Sequence, residues 1–469
     1  MVGQSRRDVL LFLCVLAVAM STRFFGLGSP DELAFDESFY AQDACVYVFG
    51  GDVDLCGHSG EVSWVHPPLG KWLIATGIAA LGYEPFAWRL PAAIAGVLTV
   101  GLLYLLIRRL TASNLAATVG AGMLALDPLS IVSSRVAMLD AFTTCAGVAA
   151  LYFAVLDRDS SAQHGPGSGG LLRPWRAAAG LAGGVAVATK WSGGPIVVAV
   201  ILLVLAWEVS AAQRLAIRPR VAVKNAASSI LLWLMVLPVL VYVVSYVGRL
   251  DGDVLTPPWY HDAWVRQFGG RQLQMLGFHA TLDGTHPSAS PAWSWLLGKR
   301  AVPYFFEVDA AGWYREVLAF ANPVLYVPAF VTAICAAIVA LRRRLLWGPE
   351  IVVAVGVGAA YLPWLLLSAN REFVFLHYLV PTIPFLGLAL GWGVWRLPRR
   401  LGRGLAGALA VVAIAVAVFW APLIYGWPLD YESWRMRIPF TDCTSEEMVD
   451  GMLRPRPGTG PPPPGWCWV

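Results

Sequence analysis

The chain has 469 residues, 57% of them hydrophobic and 14% charged, with a mean hydropathy of +0.62. Such a composition excludes an ordinary soluble domain and points to a polytopic membrane protein. The formal net charge of +4 matters less than its distribution, which follows the loops and gives no support for nucleic-acid binding.

A helix needs about 20 apolar residues to cross the hydrocarbon core. Eleven segments read as spans, near Val9–Leu27, Phe86–Ile107, Asn114–Ile131, Leu139–Leu156, Ala177–Thr189, Gly194–Trp207, Ala226–Val247, Pro323–Leu341, Ile351–Leu367, Phe375–Trp395 and Leu405–Pro422, some of them short or interrupted. The first follows Arg6 and Arg7 without a clear small-residue cleavage site, so it reads as a retained signal anchor. With the amino terminus cytoplasmic, 18 of the 34 basic residues fall in short inner segments, as the positive-inside rule requires. The expected fold class is therefore an all-α polytopic membrane protein.

Three regions then face outward: a first loop over 28–85, a second over 248–322 and a tail over 423–469, with 1–422 forming one transmembrane domain. Lys71–Leu81 has a helical pattern but is too short to cross, which favours an in-plane or re-entrant helix. The second loop carries Trp259, Tyr260, Trp264, Trp293, Trp295, Tyr304, Trp313 and Tyr314, a content suited to interfacial anchoring. Asp157–Gly170 reads as a flexible inner linker and Pro461–Pro464 as part of an extended, poorly ordered end. Cys45, Cys56, Cys443 and Cys467 lie outside the spans, where disulfides are permitted. Four cysteines allow three connectivities; the local pairs Cys45 with Cys56 and Cys443 with Cys467 are expected. No spacing resembles a metal site.

Ionised groups at a membrane boundary are costly, and here they gather at outer helix ends. Asp36, Glu37, His66 and Lys71 lie in the first loop, Arg135 and Asp140 between the third and fourth spans, Lys190 between the fifth and sixth, and Arg371, His377 and Tyr378 between the ninth and tenth. An acid pair with several cations suits transfer from a lipid phosphate: a carboxylate takes the proton of an attacking hydroxyl, and the cations offset charge on the departing phosphate. Clustering at one depth, with no internal repeat, argues against a transporter, whose sites lie near the midplane.

The strings Phe35-Asp36-Glu37-Ser38-Phe39-Tyr40-Ala41, His66-Pro67-Pro68-Leu69-Gly70-Lys71-Trp72, Ser134-Arg135-Val136-Ala137-Met138-Leu139-Asp140 and Thr189-Lys190-Trp191-Ser192-Gly193 closely resemble protein O-mannosyltransferases. Asn322-Pro323-Val324-Leu325 and His377-Tyr378-Leu379-Val380-Pro381 are further echoes, in the same order along the chain. The resemblance implies the GT-C glycosyltransferase fold, a polyprenyl-phosphate-mannose donor, and Ser or Thr hydroxyls of secreted polypeptides, met at the Sec translocon, as acceptors. It implies no required cofactor, although the free acid pair has room for a divalent metal, and it implies the plasma membrane as location. Asp36 matches the family's catalytic acid and Glu37 its neighbour; Arg135, Asp140 and Lys190 match strings placed for substrate binding. The second loop is too short for the β-trefoil module of eukaryotic members, which looks like the bacterial, actinobacterial-type branch.

Structural readings stand beside these roles. Glu37 either acts directly or holds Arg135 or Lys71. His66 caps the short helix or contacts a substrate; Lys71 snorkels or meets a phosphate. Arg371 and Tyr378 hold the phosphate or anchor a helix end. The expected function is inverting transfer of mannose to protein, with Asp36 as base; related transfer of aminoarabinose or arabinofuranose to a lipid or glycan is the alternative.

Overall fold

The computed structural model describes residues 6–50, 53–57, 62–164, 171–214, 216, 218–247, 262–282, 284–369, 371, 373–440, 446–449, 452–455 and 465–468. Trp259, Tyr260, Cys443 and Pro461–Pro464 lie outside them.

The chain is built from α1 (Arg6–Phe24), α2 (Glu37–Phe49), α3 (Val53–Cys56), α4 (Leu69–Leu81), α5 (Pro85–Thr111), α6 (Asn114–Leu126), α7 (Pro128–Arg135), α8 (Leu139–His164), α9 (Pro174–Thr189) and α10 (Gly194–Arg214). There follow α11 (Pro219–Ile230), a π-helical turn, α12 (Leu237–Val244), α13 (Asp262–Thr281), α14 (Pro323–Arg343), α15 (Pro349–Leu367), α16 (Ile383–Arg396), α17 (Arg399–Phe419), α18 (Ala421–Tyr425) and α19 (Tyr431–Arg435). Among the described residues eight helical segments are long and apolar enough to cross a membrane, or nine when α6 and α7, bent by 57°, count as one. Two of the eleven expected spans fail by length and composition. The first helix, α1, carries Arg6, Arg7, Asp8 and Arg23, and α9 has only 16 residues.

Small residues bring the first loop close to the bundle. A Cβ on Gly70 of α4 would lie 2.6 Å from Leu139 and 2.9 Å from Thr189, so glycine there lets α4 sit against the starts of α8 and the end of α9. The loop entering α2 turns through Phe35, a non-glycine residue at φ 51°. That conformation costs about 1–2 kcal/mol, and the ring is held by stacking on Tyr304 at 4.5 Å. Cys45 of α2 is bonded to Cys56 of α3.

The second loop is not all helix. Strands β1 (Val302–Val308) and β2 (Tyr314–Ala319) pair antiparallel beside α18. Trp295, Tyr304 and Tyr314 are buried, contrary to the expected interfacial belt: Trp295 donates to Ser290 O and Tyr314 stacks on Trp434. Trp293 and Trp313 remain exposed. The tail also contains structure, a short hairpin of β3 (Glu446–Val449) and β4 (Met452–Pro455). Trp468 returns to donate to Gly298 O.

At the end of the bundle opposite the first loop, α8, α9 and α10 are joined by buried charges. Arg173 and Arg176 both pair with Asp157, at 2.9 and 3.0 Å, and with Glu208, at 3.5 and 2.5 Å. This network anchors one end of α9; Lys190 follows directly on the other.

Candidate active site

Asp36 is the N-cap of α2 and is only half-buried. Its carboxylate accepts the Tyr40 hydroxyl, one turn further on, and feels the charges of Lys190 and Asp140. Burial is the largest influence and pushes the Asp36 carboxyl up to about 6, while Lys190 and Tyr40 pull it down. Lys190 ends α9: its backbone is extended, and its ammonium lies 2.8 Å from Asp140 Oδ2 and 5.0 Å from the Tyr378 ring centre. The sequence break between α9 and α10 thus leaves a buried cation beside two acids.

A cavity of about 210 Å³ opens next to this group, lined by His66, Lys190, Trp191, Ser192, His279, Arg371 and Tyr378 and, on its apolar side, by Pro195 of α10 and by Ala359, Ala360, Pro363, Trp364 and Leu367 of α15. Ser192 Oγ and Arg371 Nε are buried there with no hydrogen-bond partner among the described residues. Buried polar atoms are rarely left unpaired, so the pair marks a place for an oxygen-rich ligand. His66 stacks on His279 at 5.6 Å and tilts against Tyr40 at 6.1 Å. Burial, then the charge of Lys190, pushes the His66 imidazole well below its ordinary value, which keeps it neutral. It does not cap α4, whose N-cap is Pro68.

Four expected site residues lie elsewhere. Glu37 is fully buried and accepts four bonds, two from Arg89 and one each from the Ala34 and Ala137 amides, all at 2.8 or 2.9 Å. Its partner is Arg89, not Arg135 or Lys71, and its lone pairs are used up in holding α2, α5 and the turn before α8 together. Lys71 neither snorkels nor reaches the cavity: it pairs with Asp43 at 2.7 Å and donates to Ser63 O, tying α4 to α2. The Arg135 guanidinium donates to the carbonyls of Arg23, Phe25 and Gly26 and sits 4.6 Å over Tyr425. It closes the C-terminal end of α1, where helix carbonyls lack partners. His377 packs edge-on to Phe35 at 5.2 Å and does not line the cavity.

Arg89, Tyr40, Ser192 and His279 belong to the arrangement without having been given a role from sequence, and Tyr304, read there as an interfacial aromatic, stacks on Phe35 beside Asp36. Arg89 also donates to the carbonyls of Leu27, Pro30 and Glu32, so one guanidinium organises the loop that presents Asp36. A lone arginine in an apolar segment was the available signal. Cys467 is disulfide-bonded, and among the described residues no three His, Cys, Asp or Glu side chains gather as a metal site.

Comparison with known proteins gives the family and the fold. The model for dolichyl-phosphate-mannose-protein mannosyltransferase matches residues 13–247, and that for the C-terminal four-helix region of protein O-mannosyltransferase matches 264–441. The chain is 30% identical over 478 residues to the polyprenol-phosphate-mannose-protein mannosyltransferase of Mycobacterium tuberculosis, covering 90% of both. Its fold matches the S. cerevisiae protein O-mannosyltransferase Pmt1-Pmt2 complex bound to the sugar donor, with a TM-score of 0.73 at 16% identity over 93% of this chain and 92% of that one. ArnT from Cupriavidus metallidurans bound to undecaprenyl phosphate follows at 0.52 and 20% identity, over 88% of this chain and 65% of that one. The mostly helical GT-C architecture and the ordered motifs have a common source: the chain belongs to the dolichyl-phosphate-mannose-protein mannosyltransferase family.

Proposed function

We propose that the protein transfers mannose from a polyprenyl phosphate to Ser or Thr hydroxyls of exported polypeptides, in a single inverting displacement. The observation that carries this reading is the half-buried Asp36 carboxylate acting in the field of Lys190, which lines a cavity walled by two apolar helices. Asp36 takes the hydroxyl proton as the oxygen attacks the anomeric carbon. The bond from that carbon to the phosphate oxygen breaks as the new one forms, and the electron pair leaves with the lipid phosphate. Lys190 and Arg371 offset its charge, with Ser192 Oγ as a further donor. The apolar wall of α10 and α15 suits the isoprenoid, and the neutral His66 fits a hydrogen-bonding contact to sugar or acceptor. The relatives' names support the donor and acceptor classes.

On this reading 1–422 is the catalytic unit and 423–469 a tail on the same side as the 28–85 and 248–322 loops. The site faces the exterior of the plasma membrane with the amino terminus inside, where chains emerging from the Sec translocon supply hydroxyls.

Purified protein, labelled polyprenyl-phosphate mannose and a Ser/Thr peptide test the proposal. Mannosylated peptide is expected, and Asp36→Asn lowers the rate by about 10²–10⁴. Full activity in that variant overturns the assignment of the base; sugar transferred only to a lipid or glycan overturns the acceptor class.

A further inference from the structure

His66 has a cavity on each side. One is the cavity of Lys190 and Arg371; the second, of about 40 Å³, is lined by Tyr47, Val62, Ser63, Trp64, His66, Pro68, Tyr246 and Arg271. It is bounded by the first loop, the end of α12 and α13, away from the apolar α10 and α15 wall. A volume of this size exceeds the roughly 10–15 Å³ that one water needs and admits the end of one side chain.

The chemistry of its lining is specific. Trp64 is fixed edge-on to Phe278 at 5.7 Å, and Tyr246 packs edge-on to Phe268 at 5.2 Å, so two walls are rigid aromatics. Arg271 is the cation. Among the described residues its contact is a 3.4 Å bond from Nη1 to Gln274 Oε1, and no carboxylate pairs with it. Nearby Lys71 cannot serve as a second free cation, because Asp43 neutralises it. Arginine beside aromatic walls, half-exposed and with no acid on it among the described residues, is arranged to receive a carboxylate.

We infer that this second cavity is an acceptor subsite, in which Arg271 binds an Asp or Glu side chain of the polypeptide flanking the hydroxyl that is glycosylated. The inference rests on the proposed function, since it is the acceptor of that reaction that must approach Asp36 from a side the lipid donor does not occupy. Tyr40 connects the two places: it bonds Asp36 and contacts His66.

Three peptides test it, alike except that the Ser or Thr is flanked by Glu, Ala or Lys, in both a fluorescence-anisotropy binding measurement and a mannosyl-transfer assay. The wild type is expected to bind the Glu peptide about fivefold more tightly than the Ala peptide, the size of a half-exposed ion pair, with KM following and kcat unchanged. Arg271→Gln levels the three peptides; Arg271→Glu reverses the order in favour of Lys, a result that loss of folding does not produce. Equal binding of all three by the wild type, or a Glu preference that persists in Arg271→Glu, overturns the subsite. A change confined to the KM of the polyprenyl-phosphate donor also overturns it, because the cation then serves a lipid phosphate. Charge-ranked binding without any product instead overturns the proposed function and leaves the subsite standing.

Discussion

At neutral pH an aspartate in water, titrating near 4, holds a hydroxyl proton poorly. Burial moves Asp36 up to about 6, and the neighbouring Lys190 restrains that rise. The sign follows directly: below about 6 the carboxyl is protonated and cannot accept a proton, and above it the base is available. We expect kcat/KM to rise with pH through a midpoint near that value. Lys190→Met removes the charge that favours the ionised form, so the midpoint moves upward, and the plateau falls by about 10²–10³ through loss of phosphate stabilisation. Both shifts are read from one pH-rate profile; a midpoint unmoved in the variant means that Lys190 does not act on Asp36. The same residue also shows what a sequence can convey. Asp36, His66, Lys190 and Tyr378 were recognisable because each sits in a contiguous string, whereas the pairing of Lys190 with Asp140, 50 residues away, is a product of how α8 and α9 stand side by side.

Between elements, the loop that carries Asp36 is held by Arg89 of α5, whose guanidinium meets Glu37 and three loop carbonyls. Both side chains of the pair are essentially inaccessible, at 1% and 0% exposure, so removing one partner strands a buried charge at a cost of about 3–5 kcal/mol. Arg89→Leu is therefore expected to lower thermal stability strongly and to reduce activity further than stability alone explains, because the loop carbonyls lose their donor too. Glu37→Gln keeps one accepting oxygen for two of the four N–H donors, sets its amide N–H2 against the other two and leaves the buried Arg89 charge without its partner, so it too is expected to lower thermal stability. Equal activity in Arg89→Leu and the wild type at a temperature where both are folded counts against this organising role. The span pattern gave the helix around Arg89, and the acid motif named Glu37 as a site residue, yet nothing local joins them. Contacts 52 residues apart are set by packing, and the same reason hid the partners of Lys71 and Arg135. Hairpin β1–β2 was illegible for a different cause, since its aromatic residues read equally well as an interfacial belt.

Across the whole molecule, charge is divided between the two ends of the bundle. The Asp157, Arg173, Arg176 and Glu208 network anchors the start of α9, and Lys190 emerges after its 16 residues, about 24 Å further on at 1.5 Å per residue. Between the ends the helices present apolar faces, and such a face meets the polar site at the cavity lined by α10 and α15. Under the proposed function that juxtaposition would separate the two substrates, with the lipid-linked donor served by the apolar wall and the polypeptide by the loops. Ala359 stands on that wall, away from Asp36 and from Arg271. Filling the space with Ala359→Phe opposes an isoprenoid there by about 1–3 kcal/mol, which corresponds to roughly a tenfold rise in the donor KM for each 1.4 kcal/mol. The acceptor KM and the thermal midpoint are expected to stay near wild-type values, since Ala359 is only partly buried. Steady-state kinetics with each substrate varied in turn decides the matter: a rise in the peptide KM with an unchanged donor KM would assign the α10–α15 cavity to the polypeptide and reverse the division.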